Sequence, residues 1–449
     1  SFSGGSEATS YRASLSYLAQ QGLLENSRIE RINGRVNASH STFEDRVRLN
    51  LNLTGSYLKR NHAFYAQGAG FEGGAIKGMI GFDPRQPVVS EDGEFNEFSR
   101  NIRNPVALLQ RITDITDQSR ILGNFSTEVD VTNDLTAKGT VGIDFGEAIR
   151  RSYIPGSGPP LWFGTGSNGL ARQARRSLSN IVTQATLNYS TEFAEGQRFG
   201  ALAGAEYKRE TFQNVGTEGR DFITDALQFN NLSGAGEIAA TGTFSGKQLV
   251  EQISFFGRAN YNYNDKYLLE GTLRRDGSSV FGENEQFAWF PSGSIAWRIS
   301  NESFMEDISS ITELKLRASV GLSGNQAVPP YQTLATLSPS DAFTGIFGTG
   351  ESEVTGVAQE RAPNPDLKWE ETTEFNIGLD FIAGPFDGAV EFYQKTTTDL
   401  LLDVRVPPPA PSAFVLENIG EVQNTGVELS LNAFVIENQD MSLSLGGTI

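Results

Sequence analysis

Two histidines, His40 and His62, are the only imidazoles in the 449 residues. A protein metal site gathers three or four ligands. Neither histidine has a second one near it in sequence, so both read as solvent-facing side chains. The run Glu91-Asp92-Gly93-Glu94 offers carboxylates suited to calcium. It lacks the full ligand spacing of a calcium loop and reads as a solvated loop. Gly156-Ser157-Gly158-Pro159-Pro160 and the stretch 164–169 are glycine-rich. They lack the lysine and following helix of a phosphate loop. With no cysteine, disulfides and thiolate metal sites are excluded. No serine, histidine and acid are brought together by the pattern. No catalytic, cofactor-binding or metal-binding residue is assigned, and no cofactor is expected. Rings remain. Trp162 and Phe163 fall in one long connection, and Tyr331, Phe343 and Phe347 in another. Exposed rings stack on sugars or peptides; rings inside large loops also pack on one another. These five are the candidate ligand or lid contacts.

The elements that would carry such loops are strands. From Asp45 the odd positions run Val47, Leu49, Leu51, Leu53, Gly55, Tyr57, and the even ones Arg46, Arg48, Asn50, Asn52, Thr54, Ser56. Strand side chains alternate between two faces, so one face here is apolar and the other polar. The pattern recurs near 11–17, 31–38, 119–132, 135–150, 177–193, 198–211, 251–264, 266–276, 286–299, 312–324, 367–382, 388–397 and 424–436. With strand-like stubs at Ser1–Gly5 and Met441–Ile449, about 16 strands are expected. The stubs suggest a piece of a longer protein.

Connection lengths alternate. Short links fall at Asn133-Asp134, 194–197, Asn264-Asp265, 384–387 and 437–440, rich in the residues of tight turns. Long ones fall at 59–118, 151–176, 212–250, 325–366 and 398–423. The 277–285 link is shorter but in the long phase. The 300–311 link is longer but in the short phase, with a helical turn near Phe304–Ile308. Short turns at one end and long loops at the other describe an up-and-down barrel in a membrane. The long loops are then extracellular. A Greek-key sandwich gives no such asymmetry, which argues against a secreted all-β carbohydrate-binding protein or hydrolase.

The bulk properties agree. Apolar content is 38%, which suits a wall needing grease on one face only. A net charge of -18 disfavours nucleic acid as a partner, since phosphate binding wants clustered cations. No window approaches an apolar membrane helix, and a strand barrel would not show one. Tyr57, Tyr189, Phe193, Tyr207, Tyr263, Tyr267, Trp289, Trp297 and Phe381 tend toward strand ends, as interfacial girdles require, though rings favour strands in general. Lipid tolerates strands only in a closed wall, so open edges imply further strands.

The stretch YLLEGTLRRDGSSVFGENEQFAWFPSGSIAWRIS at 267–300 resembles a hallmark of the SusC/RagA family of TonB-dependent outer-membrane transporters. Four more resemble that family in the expected order: SYLAQQGLLENSRIERINGRVN at 16–37, LRASVGLSGNQAVPPYQTL at 316–334, NPDLKWEETTEFNIGLDF at 364–381 and ENIGEVQNTGVELSLNA at 417–433. YQKTTTDLLL at 393–402 fits between the last two. The resemblance implies an all-β transmembrane antiparallel barrel of about 22 strands, plugged by an N-terminal domain. It implies a SusD-like lipoprotein lid, a TonB complex acting through the N-terminal region, and a glycan or oligopeptide substrate. It also implies a non-enzymatic, multi-pass protein of a Gram-negative outer membrane, bedded in lipid. The present stretch shows no plug, TonB box or final strands, so it is expected not to transport alone. A passive porin or adhesin-like barrel is the alternative.

Overall fold

The computed structural model describes residues 1–64, 74–96, 102–156, 168–347, 352–407, 410, 414–437 and 441–449. The long strands belong to a 17-stranded antiparallel sheet, to which Ala235–Ile238 adds only a four-residue strand. The others match the number the sequence predicts. In the described pairings each wall strand meets the next wall strand along the chain, as in a meander.

Several strands outrun their sequence pattern. Leu170–Ala194 and Gln197–Phe222 are 25 and 26 residues long. A bilayer needs only about 10 tilted residues per strand. Past that band both faces turn polar, so the alternation disappears while the backbone pairing continues. The connections expected at 151–176 and 212–250 shrink accordingly. Two others hold hairpins of their own: Thr336–Phe347 with Ser352–Arg361, and Leu401–Arg405 with Phe414–Asn418. The 300–311 link contains two 3-10 turns, Ile299–Asn301 and Ser303–Met305. At the tight end, Asn264 and Asp265 both have φ near +55°. That pair of left-handed residues makes a primed turn, whose twist suits a hairpin.

The chain divides into two compact units. The first comprises Ser1–Thr127, Thr140–Val182 and Arg209–Leu249. Its register sets Ala13, Val36 and Leu53 in one row on one face, and Arg12, Asn37 and Asn52 in a row on the other. Tyr17, Ile32 and Tyr57 form the last ring-bearing row before the face becomes charged. Tyr17 donates to Glu30 and Tyr57 to Asp117 there. Two buried clusters lie among its long connections. One joins the helix Pro105–Arg111 through Ala107, Leu108 and Leu109 to Ala63, Ile154 and Leu170. The other joins Tyr153, Ala171, Phe222 and Phe229.

The second unit comprises Glu128–Gly139, Thr183–Lys208 and Val250–Ile449. Its apolar face is continuous across strands: Tyr261, Leu269, Ile295, Ala318, Ile377, Phe392 and Val427 stand in register. Rings gather at its tight-turn end. Phe193 stacks on Tyr261 at 6.1 Å, and Tyr267 lies 6.2 Å from Tyr263 and 6.5 Å from Trp297. Eight residues up the same strand and on the same face stands Trp289, a rise of about 26 Å along a strand. Tilt reduces that to the order of the apolar band of a membrane barrel.

Candidate functional site

The polar face of the second unit opposes the apolar one residue for residue. Asn260, Glu270, Ser294, Ser319, Asn376 and Tyr393 stand in one row. Arg258, Thr272, Ser292, Gly321, Glu374, Lys395 and Asn424 stand in another. Between them lies a groove of about 350 Å³ lined by Glu270, Ser292, Ser294, Ser319, Ser323 and Glu374. Such a surface offers hydroxyls, amides and carboxylates to a hydrated solute and nothing to lipid.

Several of the charges on this face are tied to one another. The Arg317 guanidinium donates to Glu391 at 2.6 Å, to Asp380 at 3.2 Å and to Asn376 at 3.2 Å. Lys315 stands 3.8 Å from the same Asp380. Arg274 donates to Asp276 at 2.7 Å and to Ser254 at 2.8 Å, with Glu206 at 3.7 Å. The planar fork of arginine suits this bridging of several strands. In the first unit Arg120 grips both oxygens of Asp144 across neighbouring strands.

The quoted sequence stretches meet in the loops of the second unit. Val280 and Phe281 come from DGSSVFG, Val328 from the segment after Asn325, and Leu367 and Trp369 from NPDLKWE. Phe281 and Phe290 lie 4.6 Å and 5.5 Å from Trp369. Trp369 Nε1 donates to the carbonyl of Gln286. The Gly282 amide donates to the Leu367 carbonyl, and a Cβ on Gly282 would collide with the Pro365 carbonyl oxygen. Asn418, from ENIGEV, accepts from the Lys368 amide and donates to the Lys368 and Asp399 carbonyls. Asp399 also holds the Lys368 ammonium, raising its pKa above the ordinary lysine value. These residues are builders of a loop core. Sequence reasoning did not anticipate that role. The clue was present: a tryptophan in NPDLKWE and a glycine in VFG, each out of step with strand alternation.

At the tight-turn end one carboxylate collects three donors. Glu302 accepts from Tyr267 Oη at 2.7 Å, Lys266 Nζ at 2.9 Å and Trp297 Nε1 at 3.1 Å. These bonds, Tyr267's first, hold its pKa down at about 2.

Of the candidate contacts, Trp162 and Phe163 lie outside the described residues. Tyr331 is exposed in the segment after Ile311–Asn325, with φ +69°. The backbones of Phe343 and Phe347 belong to the Thr336–Phe347 strand, and their side chains lie outside the described residues. His40 is within the Arg28–Thr42 strand with its Nδ1 2.8 Å from Thr9 Oγ1. His62 Nε2 is 2.9 Å from Thr116 Oγ1, and burial pushes its pKa below the ordinary histidine value. Among the described residues no three metal-ligating side chains converge.

A face of grease, a face of hydroxyls and charge, and a loop layer with its own core are the parts of an outer-membrane wall. Residues 2–448 match the family described as TonB dependent receptor-like, beta-barrel. This chain belongs to that family. It is therefore a β-barrel protein of the outer membrane. It is 34% identical over 443 residues to a TonB-dependent receptor of Formosa agariphila, covering 96% of this chain and 42% of that one. It is 28% identical to the TonB-dependent receptor SusC of Bacteroides thetaiotaomicron, covering 100% of this chain and 46% of SusC. In structure it is similar to the RagAB peptide transporter, with a TM-score of 0.80 at 25% identity, over 100% of this chain and 50% of that one. The chain thus spans about half the length of these relatives. The ferric-catecholate import receptor Fiu of E. coli shares the fold, at a TM-score of 0.53.

Proposed function

We propose that this chain is the greater part of the barrel wall of a SusC-like, TonB-dependent importer of glycan fragments or oligopeptides. The continuous polar rows on one face carry this view: they are a wet wall along which a polar solute can travel. Likeness to SusC and to the RagAB peptide transporter supports active import over a passive porin. The family is one of receptors and transporters, and no catalytic role is assigned.

Energy for opening comes from the TonB complex, because an outer membrane holds no nucleotide triphosphate. A SusD-like lipoprotein closes over the long loops, which face outside the cell. Trp162, Phe163, Tyr331, Phe343 and Phe347 are the proposed ring contacts to ligand or lid. The loop core around Trp369 gives that lid a rigid rim.

The test is growth of a deletion strain on single glycans and on peptides as sole nutrient. Loss of growth on one class, restored by the full-length gene, is expected. Unimpaired growth on all of them would refute import. In mild detergent the full-length protein should co-purify with a surface lipoprotein; its isolation alone would remove the lid.

A further inference from the structure

We propose that Arg275 is the anchor of a binding site for the phosphate of a membrane lipid, on the lipid-facing side of the wall at its long-loop end. Its neighbour Arg274 points to the polar face and is saturated by Asp276, Ser254 and Glu206. Arg275 faces the other way. Register sets it beside Phe255 on one side and Trp289 on the other, both about half exposed. Its guanidinium carbon lies 4.8 Å from the Phe287 ring centre and 5.3 Å from that of Trp289. Among the described residues no carboxylate lies within ion-pair distance of it.

The seat is shaped for this. Phe287 stands opposite Gly277, where a Cβ would run into its ring. The bare backbone at 277 lets the ring lie flat over the sheet beside Arg275. A guanidinium stacked on rings keeps its N–H groups in the ring-parallel plane, free for a bidentate oxyanion. Arginine on an apolar, lipid-covered face needs a counter-charge, and the described residues supply none there. Elsewhere near the long-loop end of the first unit's apolar face the arginines have protein partners: Arg28 has Glu30 and Arg151 has Asp117.

Height selects the ligand. Arg275 is level with Trp289, eight residues above Trp297. An interfacial tryptophan marks the headgroup layer, where lipid phosphates lie. The occupant is therefore a lipid phosphate, its acyl chains lying along Leu273, Gly271 and Leu269 below. This goes beyond the import function and can fail without it.

The experiment is native mass spectrometry of the full-length protein in mild detergent, titrated with phosphatidylglycerol, with phosphatidylcholine and with inorganic phosphate. Wild type should bind phosphatidylglycerol, and R275Q should bind it about tenfold more weakly. G277V leaves the arginine but displaces the Phe287 ring, and should weaken binding too. R28Q should bind as wild type does. Equal lipid binding by wild type and R275Q would overturn the site. So would an equal loss in R28Q, or displacement of the lipid by inorganic phosphate at matched concentration. Heat-modifiable migration on gels checks that each variant is folded.

Discussion

The wall and the loop core answer to different solvents. In the wall, Leu15 is 75% exposed and Ile295 57%. In the loop core, Trp369 is 6% exposed and Leu367 is wholly buried. Apolar residues are common to both, yet they are hidden within protein in the loops and at the strand ends that join them. A water-soluble domain must bury its grease in itself. A membrane wall leaves that task to hydrocarbon, and packs only where it re-enters water. Burial therefore marks where the bilayer stops.

The comparison can be broken most sharply in the loop core. Trp369→Ala should cost about 3–5 kcal/mol of local stability, by cavity formation. Amide exchange in the full-length protein should accelerate over 279–286, 364–369 and 414–418, with the wall strands unchanged. Uniform acceleration would mean that wall and loops are one cooperative body.

In the wall the sign of the effect depends on the face. Leu51→Arg should cost about 2–4 kcal/mol if its height is near the midplane. Asn52→Arg, one residue on, should stay within about 0.5 kcal/mol. Folding into vesicles against urea measures both. Equal costs would show that the facing is misassigned.

The smallest effect belongs to the tight-turn end. Glu302 has a depressed pKa, so its three hydrogen bonds stabilise fully above about pH 4.5 and are lost as pH falls through about 2. Trp297 emission should hold from pH 7 to 4 and change below pH 3. Glu302→Gln should abolish that transition. A change already at pH 5 would assign the proton elsewhere.

Much of the wall was legible because period two is written residue by residue. Val47 through Tyr57 states its two faces without help from any partner strand. The family resemblance ran along the same strands and loops. Less legible was anything that depends on distant pairing. Phe281 and Trp369 are 4.6 Å apart in space, but no local rule relates their positions. The upper ends of Leu170–Ala194 and Gln197–Phe222 were missed because outside the bilayer neither face need be apolar. The hairpin at Thr336–Phe347 was missed because Ser338, Pro339, Ser340 and Asp341 break the strand pattern.

The Phe281–Trp369 contact also bears on how such a protein is built. Two wall strands, Phe287–Arg298 and Ile311–Asn325, lie between those rings, and Trp369 leads directly into a third, Glu370–Ala383, so their cluster closes only when all three are threaded into place. Until then Val280, Phe281 and Leu367 remain bare to surface proteases. A stalled intermediate would be cut there and a finished one spared, which makes this small knot of rings a seal of completed assembly.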